Sequence, residues 1–292
     1  MILHSIHEVA IAPFYEFAFM RRALVATFAL ALGSGPVGVL LVVRRMSLVG
    51  DAMAHAVLPG AAVGFFLGGF SIWAMGAGGL IAGFLVSLLA GFVTRKTSQR
   101  EDASFAAFYL ISLALGVLLV SAHGSSVDLM HMLFGSILGV DNAALVLLAC
   151  IASFTLITLS ITYRGIILES FDSQFLKAQG SKSGLFHNIF LVLVVLNLVG
   201  GFQALGTLMA VGLIMLPAIS ARFIAKQLWS QAITASAIAF LSGYLGLLLS
   251  FRYDLASGPC IVLCSGSIYL VALFIGAQGG IFSRRKRPHL RT

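Results

Sequence analysis

The chain has 292 residues, of which 60% are hydrophobic and only 10% charged, with a mean hydropathy of +1.05 and a formal net charge of +8. Soluble domains carry about a quarter charged residues, and no soluble core could hide this many apolar side chains. The apolar runs are continuous rather than alternating, which excludes a β-barrel, and no room remains beside them for a folded nucleotide-binding or solute-binding domain.

The composition predicts one all-α transmembrane domain over residues 1–292. Residues 1–16 form a short external segment, and its start, MILHSIHEVA, lacks the basic region of a cleaved signal peptide. Nine spans are expected, near 17–43, 47–69, 73–94, 103–122, 142–163, 186–202, 206–224, 228–250 and 258–282. Gly200, Gly201 and Gly206 blur the sixth and seventh, so eight spans is the alternative. With the N-terminus outside, Arg44, Arg45, Arg95, Lys96, Arg100, Arg164, Lys177, Lys182, Arg222, Lys226 and the basic tail 283–292 fall on the cytoplasmic side. Arg252 and, near the first span, Arg21 and Arg22 remain on the other. That asymmetry orients the bundle and places the C-terminus in the cytoplasm. It accounts for the positive charge without nucleic-acid binding, although the tail could also touch anionic lipid.

The second span carries the chemistry. Asp51 is the only one of ten carboxylates inside a predicted span, and His55 follows it by four residues. That spacing puts both on one helical face, where a carboxylate and an imidazole make a divalent-metal pair. An ionisable group in hydrocarbon is costly, and marks a functional site by default. The competing reading is a packing pair. Counting from Ser47, His55 lies roughly 12 Å into the membrane and Asp51 one turn nearer the cytoplasm. Pro59 has no N–H, so the His55 carbonyl loses its helical donor. Pro217 is the other helix-shaping proline. Gly50 and Gly60 allow a neighbouring helix close. Two side-chain ligands are too few for a tight site in one chain; two copies about an axis would offer two Asp and two His.

Other candidates are weaker. Glu8, Glu16, Asp128, Asp141 and Asp254, with His4, His7, His123 and His131, give the external side an acidic and imidazole character that suits a cation, though each alone reads as a solvated loop residue. Cys150, Cys260 and Cys264 fall in spans; Cys260 and Cys264 share a face but read as packing residues. The cytoplasmic loop 163–184 contains a predicted short amphipathic helix, Glu169 to Ala178. Phe171 and Phe175 lie on one side of it, with Asp172, Gln174 and Lys177 between, and Gly180 ends it. Such a helix suits a groove on a cytoplasmic partner, the alternative being contact with lipid alone.

The stretches VVRRMSLVGDAMAHAVLPG (42–60), VDLMHMLFGSILGVD (127–141), FDSQFLKAQG (171–180), LGTLMAVGLIMLPAISAR (205–222) and YDLASGPCIVLC (253–264) resemble the integral-membrane permeases of metal-ion ABC importers, in the same order and from Phe19 to Gly276. The resemblance implies a bacterial inner-membrane permease that works as a pair of chains, with a homodimer expected. Cytoplasmic ATP-binding subunits would dock on its inner side, and an extracytoplasmic metal-binding protein would deliver the ion. The lone buried carboxylate on the imidazole's face makes Asp51 and His55 the residues expected to line the ion pathway. The resemblance also implies that the segment holding Glu169, Phe171, Asp172, Phe175, Leu176 and Gly180 is the coupling helix, although the family often has alanine where this chain has Leu176. The chain lacks Walker motifs, so it is expected to be a transport subunit and no enzyme. No permanent cofactor is implied. Zinc is the expected cargo, because the second and fifth stretches look more like zinc permeases, with manganese or ferrous iron as alternatives. A secondary metal/proton transporter is the reading from another class; it predicts inverted repeats and more buried carboxylates, and neither is evident.

Overall fold

The computed structural model describes residues 11–69, 71–97, 101–122, 140–172 and 183–282. Every regular element among them is helical: α1 (Ala12–Glu16), α2 (Ala18–Val43), α3 (Ser47–Ala56), α4 (Leu58–Gly68), α5 (Ile72–Lys96), α6 (Glu101–Ala122), α7 (Asn142–Phe171), α8 (Ser183–Leu205), α9 (Thr207–Ile224), α10 (Leu228–Tyr253) and α11 (Ser257–Ile275). Taking α3 and α4 as one span, 9 stretches among the described residues are long and apolar enough to cross a membrane. The helices are apolar on all sides, as expected where one face meets protein and the other lipid.

α2 is the mast of the bundle and packs against α7, α8, α9 and α10. Its N-terminal half, with Met20 and Leu30, joins Leu148, Leu213 and Leu247 in one core; its C-terminal half, with Val37 and Leu41, joins Met53, Phe190 and Leu198 in a second. The α3–α4 span leans on α5 and α6, and α8 bridges the two groups. Large apolar side chains such as Ile81, Phe92, Leu118, Ile157 and Leu263 point outward, a surface that only lipid would solvate. α4 and α5 touch backbone to backbone. A Cβ built on Gly60 would lie 2.1 Å from the Gly78 carbonyl oxygen, and one on Gly78 would lie 2.1 Å from that of Gly60.

Of four boundaries, three differ from the sequence expectation and the separation of the sixth and seventh spans agrees with it, each for a physical reason. The second span is not continuous: Pro59 cannot donate, α3 ends at Ala56, and α4 starts after Val57. The Ala56 carbonyl takes a hydrogen bond from the Ser112 hydroxyl of α6 at 3.1 Å instead of from the next turn. The sixth and seventh spans are separate, because Gly206 adopts φ 90°, ψ 160°, a conformation that glycine takes without steric cost. The ninth stops at Ile275 rather than 282; after it the chain folds back, with Gln278 N–H donating to the Phe223 carbonyl at 2.9 Å. The largest correction is α7, which runs on to Phe171 instead of ending at 163. Glu169 and Phe171 thus belong to a membrane-spanning helix and do not start a separate surface helix. The extension persists because Glu169, near its end, is paired with Arg44.

Candidate functional site

α3 places Asp51 and His55 on one face, with His55 Nε2 3.8 Å from Asp51 Oδ1. In the single chain the Asp51 side chain is 63% exposed and that of His55 35%. The carboxylate therefore points out of the helix bundle of its own chain. The imidazole packs 6.2 Å from the Tyr109 ring, centroid to centroid, which fixes its plane. Its Nδ1 is buried and meets no hydrogen-bond partner among the described residues. A buried polar atom left unpaired is unfavourable unless something else satisfies it, which makes this nitrogen a candidate donor to a ligand.

The pair opens into a cavity of about 500 Å³ between α3, α9 and α11. Val211, Met215 and Val262 form its apolar walls, and Thr207 sits at its rim where α9 begins. Gly50 lets α3 come close, since a Cβ there would lie 2.6 Å from the Met215 Cε. Pro217 lies buried inside α9, one turn beyond Leu213, whose carbonyl it leaves without the usual donor. Among the described residues no third His, Cys, Asp or Glu joins a cluster that could hold a metal. One chain thus offers an oxygen, one or two imidazole nitrogens and no closed coordination sphere.

The remaining candidates are dispersed. Asp141 caps α7, its Oδ1 accepting from the Ala144 N–H at 2.8 Å, and Asp254 closes α10 in a left-handed conformation. Glu16 ends α1. His4, His7, Glu8, His123, Asp128 and His131 lie outside the described residues, as does the basic tail. Cys260 is buried on α11, with Cys264 one turn on, and neither belongs to a wider ligand group among the described residues.

In the coupling region, Phe171 is 71% exposed at the end of α7 and Asp172 follows it as an exposed cap. Phe175, Leu176 and Gly180 lie outside the described residues. Glu169 turns the other way, into the bundle, where Arg44 and His187 meet it. Arg44 was counted in the sequence only as an inside charge. The signal that could have found it is its position: a strongly basic pair immediately before the helix that holds Asp51.

A multi-span helical bundle with one carboxylate–imidazole pair facing outward from the membrane-embedded part is the architecture of a transport permease, and the chain belongs to the ABC 3 transport family, whose pattern it matches over residues 16–276. It is 34% identical over 272 residues to the manganese import system permease protein ScaB of Streptococcus gordonii, covering 93% of this chain and 96% of that one. It is 29% identical over 274 residues to the chelated iron transport system membrane protein YfeD of Yersinia pestis, covering 94% and 91%. Among solved structures it matches PsaBC from Streptococcus pneumoniae, in complex with Fab, with a TM-score of 0.82 and 30% identity over 95% of this chain and 97% of that one. It is therefore a multi-pass membrane permease subunit of an ABC importer.

Proposed function

We propose that this chain forms half of the membrane pathway of an ATP-driven importer for a divalent first-row metal, with manganese as the cargo and ferrous iron next. The observation that carries the reading is the Asp51–His55 pair: two metal-binding groups on one face, exposed from their own chain and too few to close a site. A second copy related by a twofold axis would complete it with another carboxylate and imidazole. Manganese and iron accept mixed oxygen and nitrogen ligands, and the relatives just described carry manganese and iron in their names. The zinc expectation rested on two short stretches, and no reported relative carries zinc in its name. Orientation follows the basic residues at one end of the bundle, with the N-terminus outside. On that side a metal-binding protein delivers the ion. On the other, an ATP-binding subunit docks at the end of α7 and the connection beyond it, where Phe171 and Asp172 are exposed.

The deciding experiment is uptake of radioactive manganese, iron and zinc by cells carrying or lacking the chain, with Asp51→Ala and His55→Ala alongside. Manganese uptake that depends on both residues supports the reading. Uptake that persists in the absence of an ATP-binding subunit overturns it in favour of a secondary transporter.

A further inference from the structure

Arg44 caps α2 three residues before α3 begins, and its charged side chain is only 6% exposed. It is the centre of a cluster that spans three helices. Its guanidinium forms an ion pair with the Glu169 carboxylate. Nη2 also donates to the Ile166 carbonyl at 3.3 Å, and Nε donates to the Ser170 hydroxyl at 2.9 Å. Nη1 lies 3.3 Å from His187 Nδ1, which accepts, and the guanidinium carbon sits 4.2 Å above the centre of the Phe190 ring. One side chain thus grips the last turns of α7 and the first turns of α8. Those two helices lead into and out of residues 173–182.

The backbone behind Arg44 is tightly folded. Arg44 N–H donates to the Leu40 carbonyl at 3.0 Å, Arg45 takes φ 60°, and Met46 N–H donates to the Leu41 carbonyl at 2.9 Å. Met46 is 4% exposed, and α3 starts at the next residue, with Asp51 in its second turn. No flexible stretch separates the arginine from the helix that carries Asp51 and His55.

We propose that Arg44 is a positioning residue for energy coupling: it fastens both flanks of the 173–182 connection to the root of α3, so that a displacement of that connection is delivered to Asp51 and His55. This rests on the reading above, in which an ATP-binding subunit engages that connection. A guanidinium suits the task because its planar fork serves several acceptors at once in fixed geometry, whereas a lysine is a single mobile point charge. An ordinary structural ion pair would tie two helices; here the same group holds α7 and α8 and lies three residues before the start of α3 in the chain.

The test uses the assembled transporter in proteoliposomes, with the metal-binding protein and manganese supplied, and measures metal imported per ATP hydrolysed. Arg44→Lys keeps the charge and loosens the grip, and Glu169→Gln keeps the shape and removes the ion pair. Both variants should assemble and hydrolyse ATP, with metal per ATP falling about tenfold in Arg44→Lys and about threefold in Glu169→Gln, since the fork geometry contributes more than the charge alone. An unchanged ratio in both variants overturns the proposal. So does loss of assembly in both, which would make the cluster a brace and nothing more. A wild-type complex that hydrolyses ATP but imports no metal overturns the functional reading and the clamp together. Wild-type import with unaltered variant ratios overturns the clamp alone.

Discussion

Two acid–base clusters stand within a dozen residues of one another along the chain, and they are built in opposite ways. Around Arg44 opposite charges are paired: Glu169, Ser170, His187 and the Phe190 ring surround the guanidinium, and it is almost wholly buried. Around Asp51 the arrangement is open: the carboxylate stands 3.8 Å from its imidazole, mostly exposed, and His55 Nδ1 has no partner among the described residues. A buried charge is tolerable only when paired, and a satisfied pair has no capacity left for a ligand. The unsatisfied pair is the one that can take up an ion and release it. The contrast separates a positioning role from a ligand-handling role using burial and partners.

Mutations at the two clusters should therefore fail differently. The largest effect is expected at the open pair: Asp51→Ala or His55→Ala lowers metal uptake by about a hundredfold or more, with Asp51→Ala leaving thermal stability in detergent near wild type, because little packing is lost at an exposed carboxylate. A large drop in melting temperature at unchanged uptake would reverse the assignment. Arg44→Ala should instead lose stability as well as coupling. Leaving Glu169 buried without its cation costs about 3–5 kcal/mol, visible as a lower melting temperature and poor accumulation in the membrane. A variant as stable as wild type would show that the cluster is more hydrated than its burial indicates.

Smaller effects sharpen the comparison at the edge of the closed cluster. Phe171 projects from the end of α7, two residues beyond Glu169, yet is 71% exposed. If it fills a groove on the ATP-binding subunit, Phe171→Ala weakens that association by about 1.5–3 kcal/mol, read by titrating the subunit onto the purified chain, with no change in stability of the chain alone. Equal affinities would mean that Phe171 rests on lipid. Asp172→Lys should change the same affinity by about 0–1 kcal/mol, as a solvated rim charge does.

Much of the fold was legible because hydrocarbon enforces long apolar runs, and all 9 spans among the described residues begin within three residues of where the sequence places them. What escaped depended on contacts between distant residues. Nothing local says that α7 continues past Arg164, since the group that supports its last turn is Arg44, more than a hundred residues away. Glu169 read as a surface charge for the same reason. The break at Val57 was half visible: Pro59 announced a lost donor for the His55 carbonyl, but only the position of Ser112 shows how the neighbouring Ala56 carbonyl is met. The Asp51–His55 pair was legible because its chemistry is local, one helical turn in an otherwise apolar stretch. Its outward direction was not, since that depends on how α3 rolls against α6 and α9.

The contact between Gly60 and Gly78 sets a rule for any attempt to vary this membrane domain. At each position the obstacle is the main chain of the other, so a larger residue at one cannot be accommodated by a smaller residue at its neighbour. The two positions therefore lie outside the usual trade in volume by which cores drift and recover. In a saturation library selected for growth on scarce metal, both should return as glycine, and no double substitution should rescue either.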